Sequence, residues 1–356
     1  MKKRTDKKTT YPSQPPAVSL PPGVKDFLPC EAEEIGRIEA AILSVFKKHG
    51  FKRVITPALE YADVLALGIG EDLMSKVLKF IDPSTGRVIA LRPDITPQVA
   101  RLVATRMRDE PLPLKLCYTE NAIRYAEGAR AKAREILQIG AEHISKEASP
   151  EIDAGMVVMA IECLKKAGIK NFKIDVGDVG FVRHVLNGLK VNETTRKNIT
   201  ELVAKKDSSG LSSFMKGIGK AISQRERDML ISLTRLYGEK EVVAKAAALV
   251  KDPSAAASLK YLGKVLAIIY KKGFGRYVTI DLGEVRGFDY YTGMIFEAFS
   301  PGVGSPLLSG GRYDTLISKY GYNAKASGFA FDAENLISAA KVTPFYKGGP
   351  GGIKRS

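Results

Sequence analysis

Between Gly188 and about Gly275 the apolar residues of this chain change their spacing, and afterwards they change back. Just upstream they alternate, as in "NFKIDVGDV", where Phe172, Ile174 and Val176 share one face of a half-buried strand. Within the segment they recur at helical period among alanines and lysines. In "SAAASLKYLGKVLAIIYKKG", Leu259, Leu262, Leu266 and Ile269 fall on one face, and Ser254, after Pro253, is the expected cap. Downstream, "RYVTIDLG" alternates again through Val278, Ile280 and Leu282, and the strand reading continues through "LGEVRGFDYYTGMIFE". A chain punctuated in this way is expected to be an α+β body interrupted by an all-helical insertion. The expected divisions are a disordered basic tail over 1–20, a core over 21–187 and 276–340, the insertion over 188–275 and a flexible tail over 341–356.

The local signals outside the insertion support that class. Ile35, Ile38, Ile42, Val45 and Phe46 lie on one helical face between Glu31 and His49, with Gly50 as the stop. "FKRVITPALEY" reads as a strand broken at Pro57, and "SKVLKFIDPSTGRVIALRPD" as a hairpin turning at Asp82, Pro83, Ser84 and Gly86. "PLKLCYTENAIRY" and "REILQIGAEHI" are two further strands around a small-residue loop, and "EIDAGMVVMAIECLKKAG" is a helix ending at Gly168. Strands joined by hairpins, with helices segregated from them, imply an antiparallel sheet flanked by helices rather than a parallel βαβ sheet.

With 356 residues the chain can bury a large core. No stretch approaches the ~18 apolar residues a membrane span needs. Cys30, Cys117 and Cys163 are widely separated and without metal spacing, so free thiols and a cytoplasmic setting are expected. The net charge of +16 invites nucleic acid as a partner, but five of the cations lie in the first ten residues and many others decorate solvated helix faces. Nucleic-acid binding is therefore not expected from charge.

Common catalytic signatures are absent: no phosphate loop, no GxGxxG after a strand, no GxSxG elbow. The histidines, His49, His143 and His184, are scattered, so no metal and no cofactor is expected. Charge instead appears inside strand-like sequence at three places. In "LRPDITPQVAR", Arg92 and Asp94 straddle a proline and Thr96 precedes Pro97. Thr96 could be a helix cap with Asp94 near the positive helix end, or both could face a ligand. In "IRYAEGARAKAREILQIGAE", Arg124 leaves one strand while Gln138 and Glu142 share parity on the next. In "VRGFDYYTG", Arg286 and Tyr290 share one parity and Tyr291 has the other. Brought together, these groups would form a cup suited to a small zwitterion, carboxylates for its ammonium and guanidinium for its carboxylate.

"PPGVKDFLP", "LRPDITPQVAR", the Arg124 strand–loop–strand, "EVRGFDYYTG" and "SGGRYDTLI" occur in the order found in histidyl-tRNA synthetases. The resemblance covers roughly 21–186 and 276–337 and implies the class II aminoacyl-tRNA synthetase fold. Matched position by position, it implies histidine-pocket roles for Asp94, Thr96, Gln138, Glu142, Arg286, Tyr290 and Tyr291, with Tyr313 as a looser match. It also implies that Arg124 is the arginine of the second class II motif, and that Pro57–Glu60 is the dimer-forming first motif.

The chain departs from the synthetases where chemistry is done. Asn335 stands where the third motif carries its ATP-holding arginine, Ala126 stands where the second-motif loop carries a glutamate, and little follows Ile337 where a tRNA-reading domain is expected. An amino-acid cup kept beside absent reaction parts resembles the regulatory subunits of ATP phosphoribosyltransferase, whose "LRPDITPQ" pattern this chain shares. That resemblance implies no catalysis of its own and an effector, L-histidine. It also implies a partner, the short catalytic subunit, joined in a hetero-octamer for the first step of histidine biosynthesis. Two alternatives stay open: an active or truncated histidine–tRNA ligase, marked by histidine-dependent ATP–pyrophosphate exchange, and a synthetase-derived RNA-binding sensor, marked by salt-sensitive tRNA binding.

Overall fold

A computed structural model of the chain describes residues 20–125, 134–219, 222–284 and 290–342. Helix α1 (Pro29–Lys48) buries Ile38, Ile42, Val45 and Phe46, and Gly50, at φ +82°, ends it in the left-handed region. Strands β1 (Lys52–Arg53) and β2 (Leu59–Tyr61) flank Pro57 as expected. After α2 (Ala62–Gly68) and α3 (Glu71–Ser75), β3 (Lys79–Ile81) and β4 (Val88–Leu91) form the expected hairpin. Its turn is closed by the Asp82 carboxylate, which accepts from the Ser84 amide at 2.9 Å and the Thr85 hydroxyl at 2.7 Å. These strands make a small sheet in the order β2-β4-β3.

Helix α4 (Thr96–Arg106) precedes the long hairpin of β5 (Leu114–Ile123) and β6 (Glu135–Ser145), which pairs Glu120 with Gln138 and Leu116 with Glu142. Helix α5 (Pro150–Lys166), capped by Ser149, leads through Gly168 to β7 (Lys173–Asp178). The helical stretch comprises α6 (Val179–Asn187), α7 (Glu193–Ala204), α8 (Ser208–Ile218), α9 (Gln224–Leu233), α10 (Glu241–Leu249) and α11 (Pro253–Lys271). It is not all helical: β8 (Tyr237–Gly238) lies between α9 and α10 and joins the edge of the main sheet. The cap of α11 is Asp252, whose carboxylate accepts from the Ala255 amide at 2.8 Å; Ser254 lies inside the first turn. Asp252 precedes Pro253, which sits at a first-turn position where its missing N–H costs nothing.

Strand β9 (Val278–Asp281) is followed by β10 (Met294–Phe299), β11 (Leu308–Arg312), β12 (Lys325–Asp332) and helix α12 (Ala333–Val342). The main sheet runs β1-β5-β6-β12-β11-β10-β7-β9-β8. Its central pairings are antiparallel, as expected, but β1 with β5 and β7 with β9 are parallel. The strand reading is also corrected at 282–284 and 290–293, which are not in a strand; 285–289 lie outside the described residues. Around Tyr290 the chain leaves the ladder, and Thr292 instead donates its amide to Arg312 O at 2.8 Å. Most residues of the two terminal tails lie outside the described residues, as do Ala126 and Arg286.

The sheet divides two apolar layers. On one face Ile139, Ala141, Val176, Phe329 and Phe331 pack with α1, α5 and α11. On the other, Leu116, Tyr118, Ile144, Tyr290 and Tyr313 pack with Ile95, Val99 and Val103 of the α4 region. Parity along β6 places Gln138 and Glu142 on this second face, beside Ile144.

Candidate functional site

The turn between β4 and α4 sends its two charges in opposite directions. Arg92 is buried against Glu120 and donates to Thr56 O at 2.8 Å and Asn121 O at 2.7 Å. Burial lowers its proton affinity and Glu120 offsets that cost, so Arg92 fixes the turn from behind. Asp94 faces the second layer. Its Oδ2 accepts from the Tyr290 hydroxyl at 2.9 Å and its Oδ1 from the Ile95 amide at 3.1 Å. Arg124 donates Nε to Pro93 O at 2.6 Å, which holds its outer nitrogen 4.0 Å from Asp94 Oδ1.

Thr96 does not cap α4; the hydroxyl donates to Glu142 Oε1 at 2.7 Å instead. Tyr118, from β5, donates to the same oxygen at 3.2 Å, and Tyr313, just after β11, donates to Oε2. Glu142 is wholly inaccessible, and burial pushes its carboxyl up to about 8 although these hydroxyls favour the anion. Burial also raises Asp94, against the opposing pull of Arg124 and Tyr290. The four phenols Tyr118, Tyr290, Tyr291 and Tyr313 are all raised far above the usual range by burial beside these carboxyls, so they act as neutral donors.

Together these elements enclose a cavity of about 420 Å³. Asp94, Thr96, Arg124, Gln138, Tyr290, Tyr291 and Tyr313 line it, which brings together seven positions expected from the sequence. Glu142 lies directly beneath its floor, and Arg286 lies outside the described residues. Both adjacent tyrosines reach the cavity because their segment is a turn; strand parity would have put them on opposite faces. The Gln138 side-chain oxygen is buried without a hydrogen-bond partner among the described residues, an acceptor suited to an entering donor.

Two supporting residues escaped the sequence reading. Tyr118 looks like any aromatic in a strand, and no local signal marks it. Gly328 does carry one, a glycine inside a strand, which often means close approach of another group. At the outer end of the cavity, the Asn335 amide donates to Pro306 O at 2.8 Å and its backbone N–H is bound by Asp332, so it braces the loop at 305–306. Among the described lining residues Arg124 is the single cation, and no described His, Cys, Asp and Glu groups cluster with metal-holding geometry. The described wall can hold an ammonium or an N–H group against carboxyls and a small anion at Arg124.

A family model described as histidyl-tRNA synthetase matches residues 23–336. The ATP phosphoribosyltransferase regulatory subunit of Geobacter sulfurreducens is 44% identical over 333 residues, covering 94% of this chain and 75% of that protein. The same-named protein of Syntrophotalea carbinolica is 41% identical over 337 residues, 93% of this chain and 78% of its own. A crystal structure from Bacillus halodurans, described as an ATP phosphoribosyltransferase regulatory subunit/histidyl-tRNA synthetase, superposes with a TM-score of 0.83 at 30% identity, covering 92% of this chain and 84% of that one. The histidyl-tRNA synthetase of Nostoc sp., at 23% identity and a TM-score of 0.75, covers 90% of this chain and 74% of its own length and shares the fold.

Proposed function

Because the chain belongs to the ATP phosphoribosyltransferase regulatory subunits, a family with the histidyl-tRNA synthetase fold, we propose that it binds L-histidine in this cavity and carries out no reaction itself. The observation that carries the reading is the convergence of Asp94, Gln138, Tyr290 and Arg124 on one enclosed space above Glu142. Carboxyls and phenols meet the ammonium and imidazole, and Arg124 meets the carboxylate. Arg286, by resemblance, joins the carboxylate end. Asn335, with its amide turned to Pro306 O, offers no cation for a triphosphate.

In this reading the chain works in the cytoplasm with the short catalytic ATP phosphoribosyltransferase subunit, in a hetero-octamer. It is required for that subunit's activity and conveys inhibition by histidine, which demands that histidine bind one arrangement of the complex better than another. A homodimer through Pro57–Glu60 fits the exposed apolar residues on and near that segment: Ile55 is 80% exposed, Leu59 44% and, on the neighbouring hairpin, Ile81 68%.

The test is transferase activity of the catalytic subunit with and without this protein, followed by a histidine titration. Stimulation that histidine reverses supports the reading. Histidine-dependent ATP–pyrophosphate exchange by the pure protein would replace it with a synthetase.

A further inference from the structure

Among the described residues Glu142 is a carboxyl without a counter-ion. It accepts from three hydroxyls, those of Thr96 at the start of α4, Tyr118 of β5 and Tyr313 after β11, and no described lysine, arginine or histidine pairs with it. The facing strand β12 contributes Gly328, which has no side chain, and the turn before β10 contributes Tyr290 and Tyr291, both neutral. Among the described residues the carboxyl of Asp94 acts on it, and its charge opposes ionisation of Glu142. Arg124, at 4.0 Å, serves Asp94. An anion buried beside another anion, with neutral neighbours, is held by adding a proton or by admitting a cationic or N–H-bearing group.

We propose that the unliganded protein keeps a proton on Glu142, and that histidine drives this proton into solution as its ammonium and imidazole N–H settle beside Asp94 and over the Thr96 and Tyr313 hydroxyls that bond Glu142. Binding is then linked to proton release, and histidine affinity rises with pH across the range where Glu142 gives up its proton. This rests on histidine being the ligand. The direction of the Glu142 shift agrees, since burial holds its carboxyl up to about 8. No bond other than O–H is broken: the proton leaves Glu142 and the buffer accepts it.

Calorimetry of the full chain with L-histidine at pH 7.5, in phosphate and in Tris, reads the release directly, because the two buffers differ in protonation enthalpy. Free histidine is then mostly neutral at its imidazole and contributes little. The expected result is release of roughly three quarters of a proton per histidine, the fraction held by a group titrating near 8. Kd should fall several-fold between pH 6.8 and 8, and Glu142→Gln should lose both the release and the pH dependence. Equal heats in both buffers with binding intact would overturn the linkage and leave the binding reading standing. Release that persists in Glu142→Gln would assign the proton to another group and overturn the role of Glu142. No binding by the unaltered protein would overturn the reading of the cavity itself.

Discussion

Gly328 stands directly across the β12–β6 ladder from Glu142, and a methyl group built on it would lie 1.5 Å from Glu142 Oε2. The carboxyl therefore occupies the space where any other residue would place its Cβ, and a glycine inside a strand, normally a weakness, here makes the cavity floor. Gly328→Ala should displace the carboxyl, at a cost of about 1–3 kcal/mol for overpacking. Histidine affinity should fall at least tenfold while circular dichroism stays native. Unchanged affinity by calorimetry would show that Glu142 does not need its observed position.

Arg312 and Asp153 form a two-bond ion pair, at 2.8 and 2.6 Å, nearly closed to solvent, and Tyr261 of α11 donates to the same carboxylate at 2.8 Å. The network ties β11, α5 and α11 together. Asp153→Ala leaves the buried guanidinium with Asp314, at 3.0 Å, as its remaining described carboxylate, and should destabilise the protein by up to about 3–5 kcal/mol, read from urea unfolding. A loss under about 1 kcal/mol would mean that Asp314 or water is enough to satisfy Arg312.

The pH dependence of the unliganded protein has a definite sign. Glu142 is raised in the fold to about 8, so its contribution to stability is complete below the ordinary carboxyl value of 4.5 and is lost as pH rises through 8. Asp178 behaves in the same way but only up to about 7. His143, depressed by burial to about 4, loses its contribution in the opposite direction, as pH falls from 6.5 toward 4, and is neutral in both states above that range. Between pH 7 and 8 stability should therefore fall by at most about 1.4 kcal/mol, the limit for one proton. Thermal melts of Glu142→Gln should be flatter over this interval, since glutamine imitates the protonated acid. Parallel slopes in the two proteins would contradict this.

Helix α4 touches the cavity and the proposed dimer segment, Pro57–Glu60, at once. Thr96 bonds Glu142, while Gln98 donates to Pro57 O at 2.8 Å and Arg101 to Glu60 at 2.6 Å. If histidine acts on the assembly by shifting this helix, Gln98→Ala should lower the coupling between histidine and the catalytic subunit by about 0.5–2 kcal/mol with little change in histidine affinity. The check is the histidine titration of transferase activity beside calorimetry of the isolated chain. Equal inhibition curves would exclude α4 as the route.

Helix α1, the 79–91 hairpin, the β5–β6 pair and the shared face of Gln138 and Glu142 were legible in the amino-acid order. Each depends on residues within a few positions of one another, and spacing alone decides which of them face the core. Resemblance to known motifs added the histidine-pocket assignments. Other features needed distant partners. Thr96 has the look of a cap until Glu142 arrives from 46 residues away and takes its hydroxyl. Arg92 and Asp94 are one proline apart, yet Glu120 draws the first inward and Tyr290 receives the second in the cavity. Both tyrosines at 290 and 291 reach the same space only because the backbone there abandons the ladder. Local periodicity is written in near neighbours, whereas burial, counter-charge and proton affinity depend on what the rest of the chain brings alongside, and those decide what the cavity can hold.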